Sequence, residues 1–167
     1  MPTGENFWLP IDVRDRMVDL ADEKFPLETG GMLLGYQADN GDAVVTAIIG
    51  PGPNARHRRY RFTPDPDYQQ AQLEAHFWKT DGRETYLGDW HTHPRGPCAL
   101  TFMDKRTLHR IACTTSSGTT RPIMMVLAGS GEGWTLGGAR YLSARYRLCF
   151  IHCGLRPLVI RLFHRVT

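Results

Sequence analysis

The sequence predicts an α/β fold of the α+β kind, with residues 1–167 forming a single domain. Three observations support this. A length of 167 residues suits one compact unit. Segments of helical period are interspersed with short apolar runs bounded by Gly, Pro and Asn. No repeat, low-complexity tract or long linker divides the chain. A unit of this size buries roughly 70% of the surface its unfolded chain exposes. Folding therefore needs neither a metal nor disulfides, and a bound metal would serve chemistry.

The elements follow in order. Phe7 to Pro10 reads as a short lead-in strand. Asp12 is placed to cap a helix to about Lys24, with Val13, Met17, Leu20 and Ala21 on one apolar face. Pro26 stops that pattern. Gly30 and Gly31 suit a tight backbone turn, and Met32 to Tyr36 suit a buried strand. Asn40-Gly41 is a hairpin turn before a second strand, Ala43 to Ile49. Pro51 to Asn54 is a loop, and Arg59 to Phe62 reads as a third strand. In Thr63-Pro64-Asp65-Pro66-Asp67, Asp or Thr caps a helix over Tyr68 to about Lys79, with Leu73, His76 and Phe77 on one side. Tyr86 to His93 alternates as a strand. Thr101 opens a helix to about Ala112, with Leu108 and Ile111 as core candidates. Pro122 to Ala128 and Trp134 to Leu142 are further strands, and Leu148 to Ile151 and Leu158 to Phe163 close the fold.

Composition excludes several classes. Apolar residues make up 41% and charged residues 22%, an ordinary globular balance. The net charge of +3 is too small to imply a nucleic-acid partner. It is locally concentrated, however, at Arg56, His57, Arg58, Arg59 and Arg61. That run is either a solvated surface or a docking patch for an acidic or phosphate-bearing partner. Cys98, Cys113, Cys149 and Cys153 include no Cys-x-x-Cys pair, and the N-terminus lacks a secretory pattern. They read as free thiols of a cytoplasmic protein. The apolar stretch Leu148 to Phe163 is broken by His152, Arg156, Pro157 and Arg161, so no membrane span is expected.

The chemistry is concentrated in residues 91–104. On a strand, His91 and His93 point to the same face and can offer both imidazoles to one ion. Pro94 ends the strand. Asp104, in the first turn of the helix opened by Thr101, can return a carboxylate to the same point. Two imidazoles and a carboxylate leave one tetrahedral position open to water, whose pKa falls to about 7 on a catalytic zinc. Each fragment also has a plain structural reading. The histidines can simply be packed, and Thr101 with Asp104 makes a sound helix start. Glu28 precedes the double glycine, where a carboxylate can project into a cleft as a general base. The residues alone do not choose Glu28 over Glu84 or Asp89.

With these pieces in order, the sequence resembles the JAMM proteases, the zinc-dependent branch of the MPN (JAB-type) domain family. That motif is a glutamate, then His-x-His-Pro, a short spacer and Ser-x-x-Asp. Here it stands as Glu28, His91-Thr92-His93-Pro94, and Thr101-Phe102-Met103-Asp104. Glu28-Thr29-Gly30-Gly31-Met32-Leu33-Leu34-Gly35 and Phe62-Thr63-Pro64-Asp65-Pro66-Asp67 are similar to further family segments. The resemblance implies a mixed, MPN/JAB-like (cytidine-deaminase-like) sheet flanked by helices, with zinc at its edge. It implies that His91, His93 and Asp104 hold Zn²⁺ and that Glu28 activates water. The family serine positions water and stabilises the oxyanion. Thr101 stands in its place, keeping the hydroxyl but adding a methyl that stiffens χ1.

The resemblance further implies an isopeptidase or peptidase acting at the C-terminal tail of a ubiquitin-like or otherwise conjugated protein. The size looks like that of stand-alone bacterial members found in anti-phage (CBASS-type) defence operons. Others of that kind process sulfur carriers, and some MPN domains have lost their ligands and serve as binding scaffolds. A zinc nucleobase deaminase would need His-x-Glu and Pro-Cys-x-x-Cys. Pro97-Cys98 is present, but position 101 is Thr101, so that reading fails. A Cys98–His93 nucleophile pair competes with the metal for the histidine.

Overall fold

The computed structural model describes residues 6–130, 132–147 and 150–165. Its order is β1 (Asn6–Pro10), α1 (Ile11–Lys24), β2 (Gly30–Gln37), β3 (Ala43–Ile49), β4 (Arg56–Arg58), β5 (Arg61–Thr63), α2 (Pro66–Lys79), β6 (Thr85–Pro94), α3 (Phe102–Cys113), β7 (Ile123–Ser130), β8 (Gly133–Arg147), β9 (Phe150–Pro157) and β10 (Val159–Phe163). Eight strands form one mixed sheet in the order β10-β1-β3-β2-β6-β7-β8-β9, and β4 pairs with β5 as a separate hairpin. The expected mixed sheet flanked by helices is what forms.

Pro157 and Val159 are separated by one residue yet belong to strands at opposite ends of that order. The sheet therefore curls until its two edges meet. Leu158 N–H donates to Gly138 O, and the buried Arg140 reaches Gly41 O at 3.0 Å across the gap. One face of the sheet carries the main core, where Phe7, Leu9, Leu33, Val45, Met125 and Leu127 pack under Val13, Met17, Leu20 and Ala21 of α1. The predicted apolar face of α1 is the buried one. On the other side, Leu108 of α3 packs with Met124 and Tyr141.

Four local expectations are corrected. Gly30 and Gly31 do not form a turn but open β2, paired with His91 and Trp90. Asp12 does not cap α1. The helix begins at Ile11, with Pro10 in the cap position and no side-chain cap bond, because β1 runs straight into it. Arg59 to Phe62 is not one strand. Arg59 and Tyr60 turn the chain between β4 and β5, pairing Arg58 with Arg61. On α2, Phe77 is left exposed, and the buried residue is Gln69, whose amide donates to Gly50 O at 3.1 Å. A satisfied polar side chain thus occupies the inner face that periodicity assigned to apolar ones. The α2 cap is as expected, with Asp65 accepting from Tyr68 N and Pro66 opening the helix. In the expected closing strand Leu148 to Ile151, Leu148 lies outside the described residues, as does Cys149. Among the described residues, Cys98, Cys113 and Cys153 are free, and no helix is long and apolar enough to cross a membrane.

Candidate active site

The site gathers where β6 ends. β6 lies inside the sheet, antiparallel to β2 and parallel to β7. A parallel pair needs a crossover, and here the crossover carries α3. The N-terminus of α3 is thereby returned to the C-terminal end of β6, the rim of the sheet. That path brings Asp104, in the first turn of α3, to the histidines.

His91 Nε2 and His93 Nε2 lie 2.9 Å apart. His91 Nε2 is 3.2 Å from Asp104 Oδ1, and His93 Nε2 is 3.5 Å from Asp104 Oδ2. His93 Nδ1 lies 2.8 Å from Pro97 O. A carbonyl can only accept, so Nδ1 carries the proton and the neutral ring turns the lone pair of Nε2 inward. Two ring nitrogens and a carboxylate facing one point, one of them locked in the ligand tautomer, form a donor set suited to a cation. The fit is chemical as well as geometric, since imidazole and carboxylate suit zinc. Burial pushes the Asp104 carboxyl up, but when the histidines carry a proton on Nε2 their hydrogen bonds outweigh it and hold the group well below the usual carboxylate range. In that protonated state the Asp104 bond raises His93.

Thr101 is the N-cap of α3. Its backbone N–H and its hydroxyl both donate to Asp104 Oδ2 at 2.7 Å, and its Oγ1 accepts from Asp104 N at 3.2 Å. This is a capping box in which aspartate replaces the usual Glu or Gln. The cap and the candidate metal group share one carboxylate, so the two readings of Thr101-x-x-Asp104 coexist.

Glu28 stands immediately before β2. Gly30 pairs with His91, and Thr29 interlocks with Thr92. Thr92 N–H donates to Thr29 O at 2.9 Å, and Thr29 N–H donates to Thr92 Oγ1 at 3.0 Å. Both threonines are fully buried. The glycines permit this approach: a Cβ on Gly30 would lie 2.3 Å from Trp90 O, and one on Gly31 would lie 1.8 Å from Ile49 O. Glu28 is thus fixed beside the His-x-His strand, close enough for His91, His93 and Asp104 to act on its carboxyl. Burial raises that carboxyl, with the two histidines opposing. Its own N–H donates to Arg58 O at 2.8 Å, and His57 Nδ1 donates to Glu28 O at 3.0 Å.

The other two carboxylates are otherwise engaged. Glu84 bonds Thr46 Oγ1 at 2.5 Å and His76 Nε2 at 2.6 Å, between β3 and α2. Asp89 accepts from Tyr86 Oη at 2.9 Å, and burial pushes it up to about 6. The sequence did not disclose the Pro97 carbonyl or the hydrogen bonds of Thr92 to Thr29. Pro97, inside the loop between β6 and α3, offered no signal, because any residue has a carbonyl.

The family model for prokaryotic homologs of the JAB domain matches residues 10–137. The chain belongs to this family. Its curated relatives include a protein named probable metalloprotease y4qB from Sinorhizobium fredii, 35% identical over 128 residues, covering 76% of this chain and 78% of that one. Proteins named CD-NTase/cGAS isopeptidase match more distantly. The one from Escherichia coli is 29% identical over 108 residues, covering 64% of this chain and 65% of that protein. The one from Vibrio cholerae is 25% identical over 107 residues, with 64% and 65% covered. Among solved structures, protein DSY2949 from Desulfitobacterium hafniense superposes with a TM-score of 0.67 at 17% identity, covering 96% and 94% of the two chains. That likeness concerns the fold. A JAB domain with metalloprotease and isopeptidase relatives, and a His-His-Asp group that could hold a metal ion, is a metallopeptidase.

Proposed function

We propose that residues 1–167 act as one zinc-dependent isopeptidase domain that cleaves after the C-terminal residue of a ubiquitin-like or otherwise conjugated protein. The observation that carries this is the convergence of His91 Nε2, His93 Nε2 and Asp104 on one point, with Glu28 two residues before the Gly30–His91 pairing. In this reading His91, His93 and Asp104 hold the zinc ion. When bound, zinc supplies a Lewis acid for the scissile carbonyl and makes water acidic enough to deprotonate near neutral pH.

The remaining steps belong to the side chains. Glu28 accepts a proton from the attacking water and returns it to the departing amine, a contribution of roughly 10²–10⁴ in rate. Thr101 orients Asp104 through its hydroxyl and backbone N–H, and its hydroxyl steadies water and the developing oxyanion only when its one proton turns away from Asp104 Oδ2. Pro97 O fixes the tautomer of His93. The Thr29–Thr92 interlock keeps the base in register with the two histidines.

The biological role we assign is removal of a conjugated protein in anti-phage defence, in the cytoplasm. The relatives named CD-NTase/cGAS isopeptidase support this assignment, and the free thiols are in keeping with that compartment. The test is to express Glu28→Gln in the source cell and identify accumulating conjugates by mass spectrometry. The reading expects isopeptide-linked species that the native protein removes. A proteome identical to that of cells making native protein would contradict it.

A further inference from the structure

The basic run detected in the sequence folds into a cavity. β4 and β5 put Arg56, Arg58 and Arg61 on one face of their hairpin, with His57 and Phe62 stacked on the other at 5.5 Å. Together with Asn54, Thr63 and Pro64, the three arginines line a cavity of about 440 Å³. All three are exposed, and among the described residues no salt bridge involves any of them. Three guanidinium groups held together without counter-charge repel one another, and that cost is relieved by an anionic occupant. Guanidinium forks match carboxylates and phosphates alike, so the surroundings must choose between them.

The position of the cavity decides what that occupant is. Arg58 O accepts from Glu28 N–H, and His57 Nδ1 donates to Glu28 O. The hairpin that carries the arginines is therefore anchored, through Arg58 O and its His57 face, one backbone hydrogen bond from the residue assigned as general base. Arg56 and Arg58 are alternate residues of a strand, so their side chains repeat at about 7 Å, the repeat of same-face side chains in an extended peptide. Asn54 and Thr63 add neutral polar groups at the same wall.

We propose that Arg56, Arg58 and Arg61 form a specificity subsite for carboxylate side chains, carried at alternate positions by the extended substrate segment that leads to the scissile bond. The proposal rests on the peptidase reading above, because that reading puts such a segment beside Glu28. A tail rich in Asp or Glu near the cleaved bond is selected, and a basic tail is repelled.

Binding tests this without turnover, so failure of the subsite and failure of the peptidase reading are separate results. Fluorescence anisotropy on the full zinc-loaded chain compares labelled peptides with Glu or Gln at alternate positions, and a single-stranded oligonucleotide. The Glu peptide should bind roughly tenfold more tightly than the Gln peptide. That preference should vanish in R56Q/R58Q/R61Q while zinc content is unchanged. Should the triple variant fail to fold, R58Q alone must reduce the preference, and the native chain still has to discriminate between the two peptides. Equal affinity for both peptides would overturn the proposal. So would arginine-dependent binding of the oligonucleotide more tightly than the Glu peptide, which would make the cavity a nucleic-acid contact.

Discussion

Thr92 joins the two halves of the site through one hydroxyl. Thr29 N–H, which carries the backbone directly on from Glu28, has Thr92 Oγ1 as its acceptor in a fully buried setting. Replacing it by Thr92→Val keeps the shape and removes the acceptor, leaving a buried donor unpaired at a cost of about 1–3 kcal/mol. Denaturant unfolding should register that loss. Hydrolysis should fall further than stability alone explains, because the register of Glu28 loosens, while Thr92→Ser should retain both properties. A Thr92→Val protein as stable and active as the native one would show that the interlock positions nothing. At this scale the sequence was partly legible. His91 and His93 share a face because strand period demands it. The tautomer lock on His93 depends on a loop carbonyl that carries no side-chain signature.

α3 serves as both structural crossover and arm of the site, and its first turn is where the two tasks meet. Thr101→Ala removes the cap and the hydroxyl that donates to Asp104 Oδ2. The cap loss should cost about 1 kcal/mol. Loss of that supporting bond should weaken zinc binding by roughly 10–100-fold, read by competition with a chelating dye. Thr101→Ser should restore both, and unchanged zinc affinity in Thr101→Ala would separate the cap from the site. β1 and β3 are tied in a comparable way by Asp42. Trp8 Nε1 donates to Oδ2 at 2.8 Å, and Asn6 N–H donates to Oδ1 at 2.7 Å. These bonds hold the Asp42 carboxyl below its ordinary value. The native state therefore binds this proton less readily than the unfolded chain. The stability it confers is complete above the unfolded value of about 3.9 and drains away as pH falls through the lower folded value. Midpoints of urea unfolding measured from neutral to acid pH should decline less steeply in Asp42→Asn than in the native chain. An identical decline would remove Asp42 from the acid response.

Across the molecule, metal and core are separate. The main cluster is built from Phe7, Leu9, Leu33, Val45, Met125 and Leu127 with the inner face of α1, and includes none of His91, His93 and Asp104. Chelation should therefore abolish hydrolysis while far-UV circular dichroism keeps its native shape, and a chain that unfolds on losing metal would contradict this. The same separation explains what the sequence could disclose. Strands and helices driven by apolar period, such as α1 and β7, were legible because burial imposes that period locally. The buried Gln69 of α2 was not, because its bond to Gly50 O is a tertiary event. The His-x-His pair and Thr101-x-x-Asp104 were legible as local patterns, whereas Glu28 needed the family resemblance. Its place is set by the register between Gly30 and His91, a pairing across distant sequence that no local period encodes. Likewise, the arginine run was visible as charge, but its cavity required the β4–β5 turn.

In the proposed mechanism Glu28 serves as the base beside a metal held by His91, His93 and Asp104. The most direct test compares native protein and Glu28→Gln for bound zinc, and for cleavage of the conjugates trapped by the variant. The variant should carry zinc at the native stoichiometry, unfold at the native midpoint and cleave roughly 10²–10⁴ times more slowly. Cleavage at the native rate by a folded, zinc-loaded Glu28→Gln protein would show that Glu28 is not the base.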